Sequence, residues 1–397
     1  MKQHVFVQAL SACSALGDDL ESLRSRLWAA QDPDSLTWTD QYSPGRQLPL
    51  GCLPAHIQLP DLGFAPMQQR SRNNALAWHV VQPLRGQINQ ALAQWGAHRV
   101  ALIVGTSTAG VQEGERAAAY WRTEQQFPAG FDYAVQEMGN VAAFLAQHLC
   151  IQGPTHTIST ACSSGAKALA SAARLLQTGM VDAVVAGGVD ALCNFTVAGF
   201  SALEAVSNER CNPLSGHRRG INLGEGAAFF VLSRTPAAVR LAGWGETQDA
   251  HHMSAPDPSG KGAVDAMQLA LQRAGLQPQA VDYINLHGTA TVHNDAMESL
   301  AVHQVFGSEC AVSSTKPLTG HTLAAAGALE AAMACQVLLN NPQGQLPVHW
   351  WDGAADQKLP ALQVVQPGMA LGRAPEAVLS NSFAFGGSNC ALLFAAA

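Results

Sequence analysis

The feature that most constrains this chain is a series of continuous apolar runs, bounded by glycine or turns and separated by helix-forming stretches. Val100–Gly105, Ala183–Gly188 and Ala227–Leu232 contain no charged or strongly polar residue. Strict alternation would mark strands with one wet face. Unbroken runs mark strands covered on both faces, hence an α/β sheet with helices packed on either side. At 397 residues the chain is long enough for two or three units of about 150 residues each.

Two helical stretches consist almost entirely of small residues. The first runs from Ser163 to Thr178 and stops at Gly179, a residue suited to end a helix. The second opens near His321 and continues through the alanines up to Ala334. A helix so slim on every face can be packed tightly all round, which places both in the centre of the molecule. One such helix in each half points to a duplicated architecture, with no direct repeat visible in the sequence. The joint is expected within Gly243–Gly262, where Pro256, Pro258, Ser259 and Gly260 interrupt the periodic pattern. The division is therefore 1–242 and 243–397. Residues 31–70 and 341–360, rich in Pro, Gln, Asp and Trp, read as surface excursions.

Composition closes off several functions. With 48% hydrophobic and 13% charged residues the chain is not a disordered polyelectrolyte. Its 22 basic and 29 acidic residues give a net charge of −7, which argues against general nucleic-acid binding. The nine cysteines are scattered without a CxxC pair, so neither a disulfide framework nor a zinc site is expected. Reduced thiols fit a cytoplasmic protein. No apolar run reaches the roughly 18 to 20 residues of a membrane helix. Lys2 followed by Val5, Phe6, Val7, Ala9 and Leu10 resembles a leader, but His4 and Gln8 interrupt a stretch already short for one. We read it as a first strand running into the turn Ala15–Asp18.

Chemistry gathers at a few glycine-flanked ends. Thr160-Ala161-Cys162-Ser163-Ser164-Gly165 lies where the strand-like His156–Thr160 turns into the first small-residue helix. A sulfur there faces unpaired N–H groups that favour a thiolate. His287 ends the strand-like Val281–Leu286, and His321 follows Gly320 at the start of the second helix. Strand C-termini and helix N-termini are where α/β folds place their reactions. The remaining histidines show no ligand spacing, so no metal is expected. Gly105–Gly110 has neither a phosphate-loop lysine pattern nor a GxGxxG fingerprint, which leaves nucleotide binding unsupported. Gly386-Gly387, after Asn381–Phe385, is a tight loop whose N–H groups suit an oxyanion site.

In this order the segments resemble the β-ketoacyl synthase family of condensing enzymes. Thr160–Gly165 is similar to the nucleophile motif, His287–Thr291 with Asp295 to the first histidine motif, and Ser314–Gly327 with Lys316 to the second. Asn381–Asn389 is similar to the phenylalanine and double-glycine loop, and Gly220–Ala227 and Asp249–Pro258 match further segments. The resemblance implies an α/β, thiolase-like fold, five-layered αβαβα, made of two pseudo-duplicated halves that each carry a sheet. It implies that residues 1–242 hold the nucleophile, and that 243–397 hold both histidine motifs and the Phe385 loop. Cys162 would accept an acyl chain from a carrier protein or coenzyme A thioester, and a malonyl carrier protein would lose carbon dioxide and condense with it. His287 and His321 would stabilise the negative charge, and the N–H groups of Cys162 and Phe385 would form an oxyanion hole. Lys316 and Glu298 would form a supporting ion pair that holds His321 and its loop, and Phe385 would gate the acyl pocket.

The implied partners are an acyl carrier protein and a second ketosynthase-type subunit, in a homodimer or heterodimer. No cofactor is implied, since substrates travel on a carrier's phosphopantetheine arm. The chain departs from the family pattern at Ala384 and Ala324, where glycine is usual, and at Ser215, where aspartate is common and a contact with Arg218 is in question. Intact Cys162, His287 and His321 favour an active enzyme over a chain-length-factor type of non-catalytic partner. A thiolase would need a second cysteine, for which only Cys390 is near. The Ser207–Asn222 segment and Arg70–Asn74 resemble specialised members, such as those of aryl polyene pathways. Arg70, Arg72, Arg218 and Arg219 are candidates to meet an acidic carrier.

Overall fold

Each apolar run becomes a strand whose two faces serve two different cores. The computed structural model describes residues 4–397, so Lys2 of the leader-like segment lies outside it. In the first half the strands are β1 (Val5–Cys13), β2 (Val100–Gly105), β3 (Thr155–Ile158), β4 (Ala183–Asp190) and β5 (Gly226–Ser233). In the second they are β6 (Val239–Gln248), β7 (Tyr283–Asn285), β8 (Ala311–Ser313), β9 (Ala377–Ala384) and β10 (Ser388–Ala396), with a two-residue strand at Gln363–Val364 added beside β8 at the edge. Their spatial orders are β1-β5-β4-β2-β3 and β6-β10-β9-β7-β8, the same permutation in each half. The pairing senses match too, antiparallel at the first two contacts and parallel at the last two. The duplication that the two small-residue helices suggest is therefore present in the topology.

The two halves are not separate sheets. They merge into one continuous sheet through a short antiparallel contact, Val5 with Leu241 and Phe6 with Arg240. The second half opens with β6 at Val239, so a division between 242 and 243 falls inside that strand.

Helices α1 (Asn140–Leu149), α2 (Ser164–Gln177), α3 (Lys261–Ala274), α4 (Val292–Phe306) and α5 (Ala326–Leu338) supply the other layers. Along β5, Ala228, Phe230 and Leu232 face α2 and α5 in the central core, while Ala227, Phe229 and Val231 face the outer core that includes α1. Along β10, Cys390, Leu392 and Phe394 face the centre, and Ala391, Leu393 and Ala395 face α3 and α4. Five layers result. Full burial of each such Leu, Val or Phe is worth roughly 1.5–3 kcal/mol.

Small residues let the central helices approach closely. A Cβ added at Gly165 would lie 2.8 Å from Ala324 O and 2.9 Å from Ala328 N, and one at Gly327 would lie 2.8 Å from the Ala166 Cβ. The alanine richness of both helices is thus a packing requirement.

Two expectations need correction. Residues 31–70 and 341–360 are not mere excursions: Leu48 and Leu50 are fully buried in a hairpin with Thr37–Thr39, and Leu346, Val348 and His349 are buried as well. These segments are long and polar in sequence, yet they cover the loops that carry the site. The N-terminal strand forms as read. Among the described residues no helix is long and apolar enough to cross a membrane.

Candidate active site

Cys162 sits between β3 and α2 on a sharp turn. Ala161 adopts a left-handed conformation at φ 50°, unusual for a residue with a side chain. Ser164 holds the turn: its hydroxyl accepts from Thr160 N at 2.8 Å and donates to Ala161 O at 2.6 Å. The Cys162 side chain is buried, and its Sγ lies 2.9 Å from His321 Nε2.

His321 occupies the matching position in the second half, between β8 and α5. Its backbone is pinned by the first half, donating to Asn222 O at 2.6 Å and accepting from Gly224 N at 3.0 Å. A fully buried carboxylate, Asp190 at the end of β4, ties the turn that follows. It accepts from Ala324 N at 2.7 Å and also from Ser107 N, Thr108 N and the hydroxyls of Thr106, Ser107 and Thr108. Helix α5 proper begins at Ala326, so Ala324 belongs to that turn.

His287 follows β7. Its ring meets the His321 ring edge to face, with centroids 5.4 Å apart. Glu298 on α4 accepts from the N–H groups of His287 and Gly288, each at 2.7 Å. Glu298 is thus a brace for the His287 backbone and does not pair with Lys316. The Lys316 ammonium instead bonds Glu330 on α5 at 2.5 Å and lies 3.5 Å from His287 Nδ1. Both members of this ion pair are buried. The expected pairing fails because Glu298 is already engaged by backbone donors, while Glu330 projects from the central helix toward Lys316. Lys316 thus lies beside His287 and also stays tied to the His321 loop, its C=O accepting from Gly320 N at 2.9 Å.

Phe385 opens the loop between β9 and β10, and its ring lies 5.8 Å from that of Phe200. Its backbone N–H and that of Cys162 both face the Cys162 sulfur. Ala384 is in ordinary extended backbone at φ −100°, so the missing glycine is not strained there. The positive angles fall on Gly386 and Gly387, and a Cβ at Gly387 would meet Asp249 at 2.7 Å. The loop is joined to its neighbour by bonds from Gly386 N to Met253 O and from Asp249 N to Gly387 O. Cys162, His287, His321, Phe385 and Arg219 all line one cavity of about 550 Å³.

Burial controls the titration of this set. It pushes the Cys162 thiol up to about 12, although Lys316 and the two N–H groups pull the other way. A helix N-terminus alone therefore does not make a thiolate here. Burial, with Lys316 adding to it, holds both imidazoles well below the usual histidine value. Burial raises Glu298 to about 7 against the pull of its two N–H donors. At neutral pH the pocket thus holds a neutral thiol beside two neutral imidazoles. Their donor atoms lie within 4.8 Å of one another.

Other residues singled out in the sequence do not converge on the cavity. Cys390 is packed in the central core. Arg72 is committed to Glu225 at 2.5 Å, and Arg70 donates to Ala65 O and Gly63 O. Arg218 is buried and bonds both Asp356 and Ser215 O. Asp356 thus supplies the carboxylate that Ser215 lacks. Of the four arginines, Arg219 is both exposed and at the cavity wall. Asp190 and Glu330 escaped the sequence reading, and Asn222 entered it only as part of the Gly220–Ala227 and Ser207–Asn222 segments. Asp190 ends an apolar strand, and Glu330 is the lone charge between Thr322 and Leu339; both were readable as buried acids.

Similarity to known proteins spans the whole chain. Models of the N-terminal and C-terminal domains of β-ketoacyl synthases match residues 87–238 and 238–344. The mitochondrial 3-oxoacyl-[acyl-carrier-protein] synthase of Arabidopsis thaliana is 38% identical over 266 residues, covering 62% of this chain and 57% of that protein. The 3-oxoacyl-[acyl-carrier-protein] synthase 2 of Rhizobium meliloti is 37% identical, covering 61% of each. The matched region thus spans about three fifths of these curated relatives. Among solved structures, a ketosynthase complex with its chain length factor from Xenorhabdus doucetiae contains a chain 38% identical. It superposes with a TM-score of 0.93 over 100% of this chain and 98% of that one.

Proposed function

Because this chain belongs to the β-ketoacyl synthase family, we propose that it condenses an acyl group held on Cys162 with a malonyl thioester, releasing carbon dioxide. The observation that carries this reading is the meeting of Cys162 Sγ, His321 Nε2 and the His287 ring in one buried cavity.

In the first half-reaction the Cys162 sulfur attacks the carbonyl carbon of an acyl thioester. The thiol proton passes to the departing carrier thiolate as the C–S bond breaks. The tetrahedral oxygen forms against the N–H groups of Cys162 and Phe385, whose fixed dipoles need no reorganisation. In the second, malonyl thioester loses carbon dioxide, and the electron pair of the broken C–C bond develops as an enolate. His287 and His321 donate to its oxygen. For His287 the required tautomer follows from Lys316, whose ammonium donates to Nδ1 and leaves the proton on Nε2. His321 Nδ1 has no partner among the described residues. Keeping its proton on Nε2 leaves only an unpaired acceptor, less costly than an unpaired N–H. The enolate carbon then attacks the acyl enzyme, Cys162 leaves as thiolate and regains a proton, and a β-ketoacyl product two carbons longer results.

This cycle moves acyl groups and protons and calls for no resident cofactor or metal. The carrier arm belongs to the substrate. An acyl carrier protein is the proposed donor, with exposed Arg219 as a contact for it, and a second ketosynthase-type subunit is the proposed partner. A cytoplasmic setting agrees with nine free cysteines. An aryl polyene-type pathway is the specialised setting we favour.

The test is to incubate the chain, alone and with a chain-length-factor-type partner, with acyl and malonyl carrier proteins. Mass spectrometry then follows Cys162 acylation and product length. Acylation that is lost in Cys162→Ala, together with a product two carbons longer, is expected. A thiol that takes no acyl group in either setting refutes the reading.

A further inference from the structure

The two N–H groups aimed at the sulfur come from different halves of the molecule, Cys162 from the turn before α2 and Phe385 from the loop between β9 and β10. A chain of side chains connects those loops. Lys167, in the first turn of α2, places its ammonium 2.6 Å from Ser388 Oγ. Ser388 directly follows Gly387 and opens β10, and its hydroxyl lies 3.0 Å from that of Ser163. Ser163 adjoins Cys162 in sequence and donates to Thr160 O at 2.8 Å. Ser163 is fully buried and Ser388 is 8% exposed. Lys167 makes no ion pair among the described residues, and its ammonium donates to Ser388. A charged donor makes a hydrogen bond about twice as strong as a neutral one, so the link is stiff where it matters.

Resting on the ketosynthase reading above, we propose that Lys167 is a positioning residue: through Ser388 and Ser163 it holds the Phe385 N–H in register with the Cys162 N–H. The next residues after Phe385 are two glycines in left-handed conformations, a segment with little stiffness of its own. Without the clamp, the Phe385 N–H drifts from the place where the oxyanion forms. The enolate is served by His287 and His321 on other loops, so decarboxylation does not depend on the clamp.

The experiment compares the two half-reactions. Acylation of Cys162 by octanoyl-coenzyme A is timed by mass spectrometry, and carbon dioxide release from malonyl-coenzyme A is measured separately. Outright removal of one oxyanion donor slows a reaction about 10²- to 10³-fold, so a donor left in place but misaligned in Lys167→Met is expected to slow acylation about tenfold. Decarboxylation should stay within about twofold. Ser388→Ala should behave likewise and guards against a folding defect in the lysine variant. The double variant should be no slower than the worse single one, since both break the same link. Unchanged acylation in both single variants, equal loss in both half-reactions, or multiplying losses would each overturn the proposal. Wild-type protein that is never acylated instead sinks the ketosynthase reading beneath it.

Discussion

Replacing Asp190 with asparagine changes almost no volume, yet the geometry allows no good orientation for the new amide. Three obligate donors converge on the carboxylate: Ser107 N and Thr108 N on one oxygen, and Ala324 N on the other. The amide oxygen of Asp190→Asn must face the first two, which turns its NH₂ toward Ala324 N. Hydroxyls can rotate to adapt; a backbone N–H cannot. One buried N–H left without an acceptor costs about 1–3 kcal/mol, and each remaining bond weakens by about 1 kcal/mol on losing a charged acceptor. Relief of the buried charge offsets part of this, leaving about 3 kcal/mol of lost stability. In urea, at an m-value of about 3 kcal/mol/M, the midpoint should fall by roughly 1 M. Tryptophan fluorescence and far-UV circular dichroism should agree on that shift. Since Ala324 lies three residues beyond His321, Cys162 acylation should also slow under native conditions. A midpoint within 0.3 M, on the order of 1 kcal/mol, would refute the argument.

Three further outcomes are expected. Burial holds the His349 imidazole down at about 4 while Ser314 N and Pro213 O occupy its two nitrogens. As pH falls from about 6.5 the unfolded chain takes the proton first, so stability present above that value drains away toward pH 4, by about 2 kcal/mol at pH 5. His349→Gln, which keeps one donor and one acceptor, should flatten the acid limb of the stability curve by that amount, and superimposable limbs would count against it. Peptide-resolved alkylation of Cys162 should rise about tenfold per pH unit from 7 to 10 with a thiol held near 12, and a plateau near pH 7 would show a thiolate at rest. Gly165→Ala places a methyl 2.8 Å from Ala324 O and should cost about 1–3 kcal/mol in unfolding measurements; a neutral result would mean that the central helices are loosely packed.

Much of this site was readable because its parts are local in sequence. Cys162, His287, His321 and Phe385 each stand beside glycine or small residues at an element end, where backbone geometry and chemistry leave a mark within a few positions. What stayed hidden depends on contacts between distant segments. Whether Lys316 pairs with Glu298 or Glu330 is decided by which carboxylate already has donors, and no spacing rule reports that. The burial of Arg218 by Asp356 and of Leu48 and Leu50 is likewise a property of the assembled chain. The elevated thiol value could not be seen either, because a helix N-terminus is visible in sequence and the depth of a cavity is not. The duplication left only a faint trace, since two halves with the same strand permutation share topology while their side chains have diverged.

Having the Cys162 thiol in one repeat and both imidazoles in the other gives the seam between them a mechanical meaning. A tilt of one half against the other would change the gap between Cys162 and His321, and the two backbone bonds that tie His321 to Asn222 and Gly224 resist it. Rigidity of that seam, set where Gly165 meets Ala328, therefore governs how closely the thiol and the imidazoles keep their spacing. Neither half could tolerate repacking of this contact without detuning the other.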